Sequence, residues 1–421
     1  MTKRTGFAKL VPASRRPAAW LFYALIALLA YIAFARLSFT FQHLLNESPL
    51  DLRSRYLAVS QWFTGNGLYA THSSTYPPAS YLILWPILGW LPFETARRLW
   101  ALLVLLALGW LAAWCVRGNS SCSGSRTLPL SQRCFAAMFL LAMTSTSVAV
   151  WLGQSIPLLL ALLTLAILLL YPARGGAAGG RREAAASLLM LVALVKPSVS
   201  APFLWLLLWS PARPRASVSV VFGYVALTLA ALWFQKDGFQ EVLGWAEIVN
   251  RNGAQLSEGY ANLRVWLAAA GLKAWSHPAS LLVLLWLGFW THAYRRTDVW
   301  LRLGVVGLIA RLWTYHNSYD DMLLILPMLA LLRIAACNFP STTQSDGFWN
   351  WGLANLRNQA RQAQILFGIL ASLLLLLPSW LFQKSLLGLT ARGLTGFTMV
   401  MTLAFLLRFA KKQQTSVAQP G

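Results

Sequence analysis

Twelve apolar segments, separated by short polar loops, run nearly the whole length of this 421-residue chain. They fall at 18–35, 94–116, 135–152, 156–171, 184–195, 198–209, 218–234, 281–294, 299–313, 322–336, 365–382 and 394–409. A single bilayer crossing takes about 20 mostly apolar residues, and most of these segments approach that length. Segments 184–195 and 198–209 are too short to cross upright, and Lys196-Pro197 sits between them, so they read as two short or tilted spans meeting at an outer tip. Charged residues make up 11% of the chain, where a soluble domain carries roughly 25%. The expected fold is all-α: a polytopic integral membrane protein of about twelve transmembrane helices.

The formal charge of +23 invites a nucleic-acid reading, but its distribution argues against one. With the N-terminus in the cytoplasm and the spans alternating, the inner segments are 1–17, 117–134, 172–183, 210–216, 295–298, 333–361 and 408–421. They hold 21 of the 35 Lys and Arg and 3 of the 12 acids. This is the positive-inside bias, which sets orientation. The basic excess is therefore a topology signal, with both termini cytoplasmic in a multi-pass plasma membrane protein and no nucleic-acid partner. The same bias keeps segment 78–91 at the outer face, because a full crossing there would place Arg117, Arg126 and Arg133 outside. At about 14 residues it suits an interfacial or re-entrant element.

The basic segment 1–17 leads into an apolar run with no small-residue cleavage site, so it reads as an uncleaved anchor. Cys115, Cys122, Cys134 and Cys337 fall at or near the inner face as small apolar fillers. No Cys or His spacing resembles a metal site, and no cofactor is expected. Trp349 and Trp351 mark 337–364 as a candidate interfacial helix, and 411–421 as a disordered tail.

Two outer loops, 37–92 and 235–277, are far longer than ordinary connections, and such loops commonly carry function. In the first, Ser48 suits an N-cap, Pro49 the first helical position, and Asp51 stands three residues after the serine. Leu52, Tyr56, Val59 and Phe63 recur at helical spacing, while Arg53, Arg55 and Ser60 fall on other faces. This predicts an amphipathic helix along the membrane, ended by Gly65-Asn66-Gly67. Asp51 then completes a capping box, or serves as a general base held at the interface; a capping position fixes a carboxylate for either purpose.

Tyr76-Pro77-Pro78 forces an extended entry and then a helix start. Arg97 and Arg98 run against the orientation bias, so they call for an anionic partner, either lipid headgroups or a bound phosphate. Gly153-Gln154 forms an outer turn, where Gln154 can also cap the next helix. Lys196 is costly between apolar segments and reads as one half of an ion pair or as a phosphate ligand. Asn262 and Arg264 precede an apolar helix, and His316 stands among aromatics and two acids in the outer run from Arg311 to Asp321.

These motifs together resemble glycosyltransferase family 87, the polyprenol-phosphate-dependent mannosyltransferase type within the GT-C superfamily. The resemblance rests on Ser48-Pro49-Leu50-Asp51 with Tyr56, residues 65–69, Tyr76-Pro77-Pro78, Leu91-Pro92, residues 96–100, Gly153-Gln154, Lys196-Pro197, Asn262, Arg264 and His316. It covers about residues 18–335; the C-terminal spans at 336–410 match only as generic membrane helices. It implies an outer cavity, amphipathic helices in the first outer loop, and an inverting transfer of a hexose, expected to be mannose. The donor would be a polyprenyl-phosphate sugar, and the acceptor a hydroxyl of a glycolipid or glycan. Asp51 matches the family's catalytic base, and His316 is similar in position to a family histidine. The run His316-Asn317-Ser318-Tyr319 lacks the paired histidines of some members.

The residue chemistry fits that expectation. Phosphate is a good leaving group, so one base suffices, unlike in two-carboxylate hydrolases. Arg97, Arg98, Lys196 and Arg264 are the candidate phosphate ligands, and Arg55, Tyr56, Tyr76, Gln154 and Asn262 the candidate substrate contacts. The rival readings are a secondary transporter, another lipid-linked glycan enzyme, and a glycolipid-binding scaffold without turnover. The absence of an internal repeat and the asymmetric outer loops weigh against a transporter.

Overall fold

The computed structural model describes residues 16–65, 67–71, 74–117, 128–171, 179–210, 215–255, 261–337, 348–376 and 386–418. Residues 1–15 of the expected basic leader 1–17 and most of the short inner loops, with Cys122, Arg126 and Arg174, lie outside the described residues. The described secondary structure is helical throughout, with no strand among these residues.

Among the described residues, four stretches are long and apolar enough to cross a membrane: Trp20–Trp62, Phe93–Arg117, Arg215–Leu232 and Gly393–Thr415. The pair Leu130–Ala142 and Thr144–Trp151, bent by 44°, makes a fifth if it is one broken span. Trp20, Leu21 and Phe34 on the first helix are each more than 70% exposed. In water such a surface is a liability; against lipid tails it costs nothing. Twelve apolar segments in sequence therefore do not become twelve long helices. Ile156–Leu170 has 15 residues, Val299–Leu312 has 14 and Ile325–Cys337 has 13. At about 1.5 Å per residue these fall short of the roughly 30 Å hydrocarbon core. The breaks come from Gly153, Lys196-Pro197 and the polar run after Arg311.

The helix Leu50–Trp62 differs from its expected form in two ways. Its N-cap is Pro49 with no side-chain cap bond, so neither Ser48 nor Asp51 closes a capping box. Its buried face is Leu52, Arg55, Ala58, Val59 and Trp62. Arg55, expected on a polar outer face, turns inward because the Gly153 carbonyl accepts its Nη2 at 3.0 Å. Trp62 Nε1 donates to the Ala231 carbonyl at 3.0 Å, and Gln235 donates to the Trp62 carbonyl. The helix thus packs one face into the protein, while Leu50 and Leu57 on its other side are exposed. Gly65 ends it at φ 73°, its N–H reaching the Trp62 carbonyl at 3.3 Å.

Pro78–Leu88 is an 11-residue helix entered through extended Pro77. Its buried Ser80 donates to the Val195 carbonyl at 2.7 Å, which pins it beside the break between Gly180–Ala193 and Pro197–Ser200. The candidate interfacial helix and the following span are one 29-residue helix, Phe348–Leu376. Leu386–Ala418 likewise runs on through most of the stretch expected to be a disordered tail. Lys411, Lys412, Gln413 and Gln414 favour helix, and Gln414 Nε2 donates to the Ala293 carbonyl at 3.0 Å.

Candidate active site

Six of the eleven residues singled out in the sequence line two cavities. A polar cavity of about 210 Å³ is lined by Asp51, Arg55, Tyr76, Gln154, Lys196 and Asp320, among others. A larger, mainly apolar cavity of about 600 Å³ contains Trp245, Arg264, His277, Leu281 and Trp313. Thr75, Tyr76, Lys196 and Tyr315 line both, so these four form the shared wall.

Asp51 stands in the first turn of Leu50–Trp62. Freed from capping, its carboxylate accepts a hydrogen bond from Gln154 Nε2. The turn that presents Gln154 depends on Gly153, whose φ is +66°. A Cβ there would lie 2.7 Å from the Leu52 Cβ and 3.4 Å from the Pro49 Cβ. That is the start of the helix carrying Asp51, so Gly153→Ala should cost about 1–3 kcal/mol. It should also lower activity at least tenfold, because positional errors near 1 Å cost about 10²-fold. Thermal melting and turnover of the purified variant test this, and wild-type values for both would refute it. Arg55 stands one turn beyond Asp51 on the same helix, its guanidinium 5.7 Å from the Tyr76 ring and 5.4 Å from that of Trp100.

Opposite Asp51 is a buried relay. Lys196 Nζ donates to both Asp320 oxygens, at 2.8 and 3.0 Å. His316 Nδ1 lies 2.9 Å from Asp320 Oδ2. Burial favours neutral Asp320, but Lys196 and His316 more than offset it and hold the carboxyl well below its usual range. Burial would likewise lower Lys196; Asp320 and the nearby Tyr319 and Tyr76 reverse this and raise it. Burial pulls His316 down despite Asp320, so its imidazole is neutral and Nδ1–H donates to Asp320. His316 Nε2 is then a buried acceptor with no partner among the described residues. His316 lines neither cavity, and reaches the site only through Asp320.

Arg264 opens the helix Leu263–Ala269, which Asn262 caps by accepting the Val265 N–H at 3.1 Å. Asn262 is fully buried and lines neither cavity. Arg264 is 3% exposed, and has no carboxylate partner among the described residues. Its guanidinium lies 5.9 Å from the Tyr315 ring. A buried, uncompensated cation beside a cavity is a strong call for an anion.

Three candidates sit elsewhere. Arg97 pairs with Glu94 and donates to the Glu47 carbonyl, Arg98 is exposed, and neither lines a cavity. Tyr56 donates to the Leu91 carbonyl at 3.0 Å, bracing the loop. Conversely, Asp320, Tyr315 and Tyr319 line the polar cavity without having been singled out individually; their clustering around His316 was the available signal.

The model of glycosyltransferase family 87 matches residues 75–337. The chain belongs to glycosyltransferase family 87. No curated protein matches it, and no solved structure does. Family 87 membership makes the chain a membrane glycosyltransferase, which needs a sugar donor and an acceptor. The matched segment contains the shared wall, the relay and Arg264. Asp51 precedes it, and joins it through Gln154 and the polar cavity.

Proposed function

We propose that this family 87 enzyme moves a hexose, mannose by expectation, from a polyprenyl phosphate to a hydroxyl of a lipid or glycan acceptor. The reaction runs with inversion at the outer face of a GT-C-like membrane domain. The observation that carries this reading is the junction of a polar cavity holding a carboxylate with an apolar cavity holding an uncompensated guanidinium. A lipid-linked phosphosugar has that division of chemistry: a polar sugar, an anionic link and a hydrocarbon chain. In the proposed geometry the sugar occupies the polar cavity and the first isoprene units lie against Trp245, Leu281 and Trp313.

The acceptor oxygen attacks the anomeric carbon from the Asp51 side, and Asp51 takes its proton. The bond from the anomeric carbon to the phosphate oxygen breaks, and its electron pair leaves on the phosphate. Arg264 counters that charge. Lys196 has three N–H donors, two of them committed to Asp320, which leaves one for the phosphate. Arg55, Tyr76 and Gln154 surround the sugar and the base.

Arg264→Gln removes the charge while keeping some hydrogen bonding, and hydrogen bonds to charged groups contribute about 1.5–3 kcal/mol. The donor KM should therefore rise roughly 10–100-fold, with kcat falling less. Steady-state kinetics with polyprenyl phosphate mannose test this. An unchanged donor KM would remove Arg264 from the phosphate site.

A further inference from the structure

The apolar cavity holds an imidazole that the transfer chemistry above does not use. His277, exposed at the rim near the start of the helix Ser276–Ala293, places its Nε2 2.9 Å from Arg264 Nη2. The same Nε2 lies 2.8 Å from Asn250 Oδ1. The two contacts show Nε2 in both of its roles. Arg264 can donate only to a bare Nε2, whereas Asn250 Oδ1 can accept only from a protonated one. The Asn250 amide can serve either state by turning over, so a ligand that engages Arg264 can set the proton state of Nε2.

We propose that His277 is a proton-linked ligand of the phosphodiester at Arg264: the anion draws the guanidinium away, His277 takes up a proton at Nε2, and the imidazolium then holds the anion beside Arg264. This rests on the donor reading given above. The balance is simple: one proton passes from solvent to His277 on binding and returns when the phosphate leaves. Burial and the Arg264 charge hold free His277 below its ordinary range, so the unliganded imidazole is neutral and able to accept that proton. A phosphate oxyanion beside it reverses the second of these effects.

The groups facing His277 support the assignment. Asn250 comes from the helix Gln240–Gln255 and Arg264 from Leu263–Ala269. Lys196 and Tyr315 share the cavity wall, and no Asp or Glu among the described residues lines this cavity. Lys196 is raised by Asp320, and burial raises Tyr315. That leaves the imidazole as the lining group able to titrate near neutrality.

The test uses the full-length protein in detergent and farnesyl phosphoryl mannose, a phosphodiester whose own charge is constant near neutrality. Calorimetry at pH 7 in buffers of different ionisation enthalpy counts the protons taken up on binding. Wild type should take up a measurable fraction of one proton, and its affinity should strengthen as the pH is lowered, by at most about tenfold for each unit by which binding raises the His277 pKa. His277→Gln should take up none and bind independently of pH, whereas His277→Lys should bind tightly without proton uptake. No uptake in wild type, or equal uptake in His277→Gln, overturns the proposal. Arg264→Gln separates the two readings. If it binds the probe as wild type does, the donor reading fails. If it loses binding while wild type takes up no proton, the His277 proposal alone fails.

Discussion

Asp51→Asn should lower glycosyl transfer about 10²–10⁴-fold, the range that a positioned general base contributes. Asn has nearly the same shape, and its side-chain oxygen can still accept the Gln154 hydrogen bond, so the fold should survive. The loss should appear in kcat, with the donor KM nearly unchanged, because Asp51 lines the polar cavity and Arg264 the apolar one. A fall in kcat without a change in KM marks an interaction made in the transition state alone. Asp51→Glu retains a carboxylate but moves it by one methylene, so it should recover part of the activity. If Asp51→Asn turns over at the wild-type rate while melting normally, Asp51 has no role in the chemistry.

The second large effect concerns the Lys196–Asp320 pair. Its charges are almost wholly buried, with side-chain exposures of 12% and 1%. Removing one member strands the other, which costs about 3–5 kcal/mol. Lys196→Met should therefore lower the melting temperature sharply and abolish transfer. The double variant Lys196→Met, Asp320→Leu should recover much of the stability and none of the activity, because no ammonium remains at the shared wall. Recovery of transfer in the double variant would show that the pair serves the fold alone.

The same pair sets a pH dependence. Asp320 is depressed, so its contribution is present above its unfolded value near 4 and is lost as pH falls below that. Lys196 is raised, so its contribution holds below about 10.4 and is lost above it. His316 is depressed by burial, so the unfolded chain binds its proton first and stability starts to decline below about 6.5. Melting temperature against pH should show a plateau with a two-stage acid limb. In His316→Gln the upper stage should shrink to the part that His277, also depressed, contributes.

Much of this site was legible in the sequence because each of its parts was anomalous where it stood. Lys196 was costly between apolar segments, and Asp51 and Gln154 stood at breaks in the apolar pattern. What the chain could not reveal was partnership. The Asp51 carboxylate reads equally well as a cap until Gln154, from a distant turn, is seen to bond it. Arg97 looked unpaired although Glu94 stood three residues earlier, within helical reach. His316 looked catalytic because sequence shows its neighbours but not its depth; it lies behind Asp320, and the carboxylate faces the cavity instead. Four to five spans stand out among the described residues where the sequence suggested twelve, for a related reason. Hydropathy registers apolar segments but not the turns at Gly153 and Lys196-Pro197 that cut them into helices too short to cross alone.

The most direct measurement is a structure of Asp51→Asn bound to polyprenyl phosphate mannose. The account predicts phosphate density within hydrogen-bonding distance of Arg264, the lipid chain along the apolar cavity, and the anomeric carbon facing residue 51. Phosphate bound away from Arg264, or a sugar outside the polar cavity, would contradict it.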